Sequence, residues 1–322
     1  MMKNKILIVA GDPNSINSEI IYKSFKSLKK NVREKIYVIS NIELLKKQYK
    51  KLKYKIKIEN VKNINEKGKS NNLKVLDVKL KFNNPFNVSK INASNFVKSS
   101  LNYAHNLGLS EKIKGIINCS INKNLLSNTG IGVTEYLAKK CRIKNNSEVM
   151  LIRNKRLCVS PVTTHLDVRK ISKNLKPLII INKIKTINNW FKKKFGKKPK
   201  IAVLGLNPHN AELRKNSEEK KIIIPLIKKI KRLGLNVEGP LVADTIFINE
   251  YKRFDVIVGM YHDQVLGPFK SLFKFNAINI TLGLKYLRSS PDHGTAKNLI
   301  GKNKGNPISL IECINFTNKF GK

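Results

Sequence analysis

The 322-residue chain is short of acidic residues, arginine, aromatics and cysteine, and each shortage closes a class of function. Its four cysteines (Cys119, Cys141, Cys158 and Cys313) lie far apart, with no CxxC between them. That spacing excludes a disulfide-stapled scaffold and a paired zinc motif, and it predicts buried thiols in a reducing compartment. No apolar run approaches the roughly 18 residues of a membrane span, so a soluble, cytoplasmic protein is expected. The apolar stretch 6–10 is too short for a signal-peptide core and predicts a first strand instead. No GxGxxG occurs, so a Rossmann dinucleotide turn is not indicated. A Ser–His or Cys–His nucleophile signature is absent as well. With 17 glycines and 11 prolines, the collagen-like and wholly disordered classes are also out.

Acidic residues number 21 against 64 basic ones, a net charge of +43. Such an excess raises nucleic acid or an anionic membrane as a partner. The composition argues otherwise. Only nine of the basic residues are arginine, the lysines spread along the whole chain, and aromatics make up 7%. Nucleic-acid readers rely on arginine forks and stacking aromatics. Lysine, asparagine and isoleucine are abundant together, as an A/T-rich coding sequence would produce. The reading is a lysine coat that attracts small anionic substrates, with no membrane and no nucleic acid as partner.

Length predicts about two domains. Short β-type runs at 5–10, 35–40, 115–118, 201–206, 255–260 and 277–282 alternate with helical patterns. Those helices fall at 18–28, 93–107, 134–140, 177–195 and 217–233, the signature of an α/β protein with a largely parallel sheet. Segments 149–153 and 157–162 predict a hairpin, and 55–70 a polar surface excursion. Ser217 predicts an N-cap with Glu218 and Glu219 in the first turn, Pro225 a kink, and Gly234 the stop. No linker or repeat separates the domains, so they are expected to interleave.

Three of the five histidines directly follow apolar runs: His165, His209 and His262. Ligands of open α/β sheets sit beyond the carboxyl ends of strands. Three imidazoles delivered there can converge on one divalent ion and leave a position open for substrate. Asp244 and Asp263 stand by as acids or orienting partners. Lys270, Asn279 and Arg288 are the donors suited to a phosphate or carboxylate. Asn279 is the informative member, because an amide inside an apolar strand needs partners.

These residues lie in segments that resemble the 4-hydroxythreonine-4-phosphate dehydrogenase family of pyridoxal phosphate (pyridoxine) biosynthesis. The segments are Pro161-Val162-Thr163-Thr164-His165-Leu166, Gly205-Leu206-Asn207-Pro208-His209, Gly239-Pro240-Leu241-Val242-Ala243-Asp244-Thr245, Met260-Tyr261-His262-Asp263-Gln264, Asn279-Ile280-Thr281-Leu282-Gly283-Leu284 and Asp292-His293-Gly294-Thr295-Ala296. The resemblance implies an isocitrate/isopropylmalate dehydrogenase-like fold, with two α/β/α domains around a central cleft. The expected domains are 1–130 with 290–322, and 131–289. It implies a homodimer with a shared active site, His165 and His209 binding the metal from one subunit and His262 from the other. Thr134, Lys270, Asn279 and Arg288 fall on substrate-binding positions, and Asp244 and Asp263 are the catalytic candidates. The implied cofactors are NAD or NADP and a divalent metal (zinc, cobalt or magnesium).

The implied chemistry is oxidation of 4-phosphohydroxy-L-threonine, a phosphorylated 3-hydroxy acid. The metal acts as a Lewis acid on the alcohol and hydride passes to the nicotinamide. The 3-oxo acid then decarboxylates to 3-amino-2-oxopropyl phosphate. Four stretches depart from the family: Asn14-Ser15-Ile16-Asn17-Ser18-Glu19 stands where a glycine-rich turn and a proline are usual, Val133 and Asn122 replace histidines, and Asn210-Ala211-Glu212-Leu213 replaces a glycine-rich stretch. The alternatives are a dehydrogenase of threonate or erythronate phosphate, and a metal-dependent hydrolase.

Overall fold

Continuous runs of isoleucine, leucine and valine bounded by polar residues form buried parallel strands, because a strand covered on both faces has no polar side. A computed structural model describes residues 4–126, 132–143 and 147–321 of the chain. It divides into two compact units, Met1–Cys141 with Leu284–Lys322, and Arg142–Gly283. The expected boundary at 130/131 lies outside the described residues. Thr134 and Arg288, read with the second domain, belong to the first unit.

In the first unit the chain lays down β1 (Ile6–Val9), β2 (Ile36–Ser40), β3 (Ile58–Asn60), β4 (Leu73–Asp77) and β5 (Gly115–Asn118). In the second it forms β6 (Val149–Arg153), β7 (Cys158–Thr163), β8 (Ile201–Leu204), β9 (Val237–Leu241), β10 (Val256–Tyr261) and β11 (Ile278–Leu282). It then returns to the first unit as β12 (Arg288–Pro291).

The first unit runs β3-β4-β2-β1-β5-β12, parallel throughout. The helices Ile42–Lys51 and Lys90–Leu109 contribute Leu44, Phe96, Val97 and Leu101 to the core against Leu7, Val9 and Ile39. The second unit runs β11-β6-β7-β10-β8-β9. There β6 is antiparallel to both β11 and β7, and β7, β10, β8 and β9 are parallel. The hairpin at 149–162 is therefore present. Ile257, Val159, Ala202, Val265 and Phe269 form the core of this unit.

Two expectations need correction. Segment 55–70 is no mere excursion, since it holds the edge strand β3, only half-buried and paired with β4 alone. The helix expected over 217–233 begins as a π-turn, Glu219–Ile223, and becomes α-helical at Ile224–Arg232. Pro225 sits in the first α-turn, where its missing N–H costs nothing. Ser217 does cap the run, its Oγ accepting from the N–H of Lys220 at 3.2 Å. Among the described residues no helix is long and apolar enough to cross a membrane.

Candidate functional site

The second unit places β7, β10 and β8 side by side, with Val258 in register with Ser160 on one side and Val203 on the other. Their carboxyl ends therefore lie together at one edge, and each leads into a histidine. His165 follows β7 closely. His262 opens the helix His262–Phe273 directly after β10, and His209 stands in the turn after β8. The rings of His165 and His262 have centroids 6.1 Å apart with planes tilted by 35°. His209 instead faces Asp244, Nε2 to Oδ2 at 3.6 Å. Among the described residues, no group of three His, Cys, Asp or Glu side chains is arranged to hold a metal within one chain. The structure thus pairs two of the three histidines and sets the third beside a carboxylate.

The donor chemistry fits a divalent ion. His262 Nδ1 lies 2.7 Å from Asp263 Oδ1, and with the proton on Nδ1 the lone pair of Nε2 is available to a metal. The side chains of His209 and His262 are 69% and 33% exposed, so neither is a core histidine. Asp244 and Asp263 are exposed too, each with its carboxylate beside an imidazole.

The loop bearing His209 is held from beneath by Glu219, which is fully buried. Its Oε1 accepts from the N–H groups of Leu206 and Asn207, each at 2.8 Å, and the Asn207 side chain donates to Oε2 at 3.1 Å. Burial works to raise this carboxyl's pKa, but the N–H bonds from Asn207 and Leu206 outweigh it and hold it below the usual value. The sequence reading placed Glu219 in a helix's first turn and missed this role. The sequence carries no local mark of it, because Glu219 stands between Glu218 and Lys220.

Residues 209–213 all adopt left-handed φ between 46° and 56°. That is the backbone which glycine takes at least cost. Asn210-Ala211-Glu212-Leu213 thus places side chains on a backbone that glycine would accommodate freely.

Of the remaining candidates, Asn279 on β11 has a buried Oδ1 with no hydrogen-bond partner among the described residues. Lys270 lies in the last turn of the helix that begins at His262. In the first unit Arg288 opens β12 at 3% exposure. Its Nε donates to Asn118 Oδ1 at 2.6 Å and its Nη1 to Thr134 Oγ1 at 3.4 Å. Burial pushes the guanidinium down to about 10, which still leaves it charged at neutral pH. Asn118 escaped the sequence reading, although it is the polar residue ending the apolar strand β5. Val133 packs against the apolar core of this unit. Asn122 caps the turn Lys123–Leu125, its side chain accepting from the N–H of Asn124 at 3.1 Å, and its own N–H donates to Asp12 Oδ2 at 3.4 Å.

The family model described as "Pyridoxal phosphate biosynthetic protein PdxA" matches residues 32–317. A 4-hydroxythreonine-4-phosphate dehydrogenase of Sulfurihydrogenibium sp. (strain YO3AOP1) is 37% identical over 318 residues, 96% of either chain. The one of Aquifex aeolicus (strain VF5) is 40% identical over 206 residues, 63% of either chain. Among solved structures, the 4-hydroxythreonine-4-phosphate dehydrogenase of Klebsiella pneumoniae superposes with a TM-score of 0.86 at 27% identity, covering 99% of this chain and 98% of that one.

Proposed function

The chain belongs to the PdxA family of pyridoxal phosphate biosynthetic proteins, and from that premise we propose how its residues perform the family's oxidation. It is an oxidoreductase of isocitrate/isopropylmalate dehydrogenase-like fold. Its substrate is 4-phosphohydroxy-L-threonine, oxidised at the alcohol to a 3-oxo acid that decarboxylates to 3-amino-2-oxopropyl phosphate. Most names among the relatives favour this reading over a hydrolase and over a threonate or erythronate phosphate dehydrogenase, although one relative, of Oceanobacillus iheyensis and 38% identical over 209 residues, is named a D-threonate 4-phosphate dehydrogenase. The observation that carries it is the delivery of His165, His262 and His209 from the ends of three adjacent parallel strands.

His165, His209 and His262 would hold the divalent ion, zinc, cobalt or magnesium, with His262 contributed by the partner in a homodimer. When bound, the ion supplies Lewis-acid stabilisation at the alcohol and NAD or NADP supplies the hydride acceptor. Asp263 holds the His262 imidazole in the tautomer that presents Nε2, whereas Asp244, 3.6 Å from His209 Nε2, leaves Nδ1 of that ring for the ion. Lys270, Asn279, Thr134 and Arg288 bind the substrate's anionic and polar groups. The unpartnered Asn279 Oδ1 supports this assignment, because a buried acceptor is costly until something donates to it. The +43 charge draws the phosphorylated substrate in.

The test is reduction of NAD and of NADP with 4-phosphohydroxy-L-threonine. Turnover should vanish after exhaustive chelation and return with zinc, cobalt or magnesium. Full activity in a verified metal-free preparation would overturn the role given to the histidines.

A further inference from the structure

The three strand ends that carry the histidines are tied to one another by a line of buried hydrogen bonds. Thr163, the last residue of β7, donates from Oγ1 to the carbonyl of Met260 on β10 at 2.7 Å. The N–H of the same Met260 donates to Oε1 of Gln264 at 2.7 Å. Gln264 Nε2 in turn donates to the carbonyl of Gly205, just past β8, at 2.7 Å. The line continues into the loop that Glu219 holds, at Leu206 and Asn207. Each link stands within a few residues of a histidine.

A strand end is where ladder pairing runs out. The registered pairs between β10 and β8 stop at Val258 and Val203, so Gly205 lies beyond them. Buried backbone groups there need other partners. A carboxamide suits this place because it donates and accepts at once. Gln264 reaches back from the first turn of its helix to use both ends on backbone, and it is itself buried. Two glycines leave the room. A Cβ at Gly259 would lie 2.9 Å from Gln264 Oε1 and 2.5 Å from Val265 Cγ1. One at Gly205 would collide with Asn210 Oδ1 and lie 3.1 Å from Glu219 Oε1.

We infer that Gln264, helped by Thr163, is a positioning residue that locks the ends of β7, β10 and β8 together, and so sets His165 and His209 for one metal and the same chain's His262 for the partner subunit's. It acts through the backbone and not on the reacting atoms. The inference rests on the reading of those histidines as metal ligands.

Gln264→Met removes both bonds at nearly constant length, and Thr163→Val removes the Oγ1 donor alone. Asn154 provides the control. It is a buried amide in the same unit, donating to the Asn276 carbonyl at 2.6 Å and accepting from the Arg156 N–H at 3.0 Å. It sits at the opposite end of β7, where Arg153 pairs with Cys158. Full-length metal-free protein would be titrated with cobalt(II), read by visible absorption and by zinc competition, with melting temperatures measured in parallel.

Gln264→Met should weaken cobalt binding about 10- to 100-fold, the usual cost of losing a group that orients a ligand. Thr163→Val should move it the same way by less, and Asn154→Leu should lower the melting temperature with cobalt affinity unchanged. Wild-type affinity in both Gln264→Met and Thr163→Val would overturn the inference, as would an equal loss in Asn154→Leu. If Gln264→Met does not fold, Thr163→Val against Asn154→Leu decides. A wild type that binds no zinc-displaceable cobalt would fail the metal reading itself, and the inference with it.

Discussion

Mixing subunits tests the proposed sharing of the three histidines directly. His165 is exposed and the side chain of His262 is 33% exposed, so His165→Ala and His262→Ala should fold as wild type does. Each variant alone lacks a ligand at every site and should be inactive. In a mixed dimer with His262 contributed by the partner, one site gathers both lesions and the other receives three intact histidines. Random mixing makes about half of all dimers mixed, each with one good site of two, so roughly a quarter of wild-type activity and metal content should return. His209→Ala with His262→Ala should recover to the same level. The pair His165→Ala with His209→Ala is the discriminating control. Both ligands come from the same subunit in this scheme, so each site of that mixed dimer carries one lesion and nothing returns.

The in-chain approach of His165 and His262, with ring centroids 6.1 Å apart, makes the alternative concrete. Were those two the pair supplied by one chain, mixing His165→Ala with His209→Ala would restore activity, and His165→Ala with His262→Ala would not. Refolded or co-expressed mixtures would be assayed for NAD reduction and for bound metal, with subunit exchange verified by mass-tagged chains. No recovery in any pairing, despite demonstrated exchange, would refute the shared site.

Arg288→Ala should lower kcat/KM about 10- to 100-fold, the worth of a lost charge-assisted bond of about 1.5–3 kcal/mol, while metal content stays at the wild-type level. An unchanged kcat/KM would remove Arg288 from substrate binding. His105 is buried, and its Nδ1 lies 2.8 Å from the Tyr286 hydroxyl. Burial first, then the charges of Lys140 and Lys285, lower its pKa from 6.5, so below pH 6.5 the unfolded chain takes up a proton that the fold resists. Stability should therefore fall as pH drops from 6.5 toward the folded-state pKa, and His105→Gln should flatten that limb of a denaturation-versus-pH curve. Glu212 is exposed at φ 46°, so Glu212→Gly should raise the melting temperature by the equivalent of about 1 kcal/mol; an unchanged or lower value would mean that the turn is not strained.

Where a segment's burial agrees with its own pattern, the structure follows the sequence reading closely. The runs that became β1, β8 and β10 are apolar almost throughout, since parallel strands are covered on both faces. Gly196 and Gly234 end their helices at φ 69° and 75°, as residues without a Cβ should. The three histidines were legible for the same reason, because a polar residue ending a buried strand is a local event.

Other elements carry no such local mark. β12 reads Arg-Ser-Ser-Pro, polar in every residue before the proline, yet it is buried from end to end beside β5. β4 buries Lys74 to 1% exposure because its Nζ finds the carbonyl of Glu34 and the ring of Tyr37, partners supplied by another part of the chain. Gln264 sits two places from a histidine in plain view. Its bond to Gly205, however, spans 59 residues of sequence and exists only where β10 lies beside β8. The sequence by itself determined which side chains stand at the strand ends, because hydrophobic periodicity is written residue by residue. Which of those ends adjoin, and which amide locks them, was decided by the tertiary structure alone, because a buried polar group takes its partner from whatever the fold brings within about 3 Å.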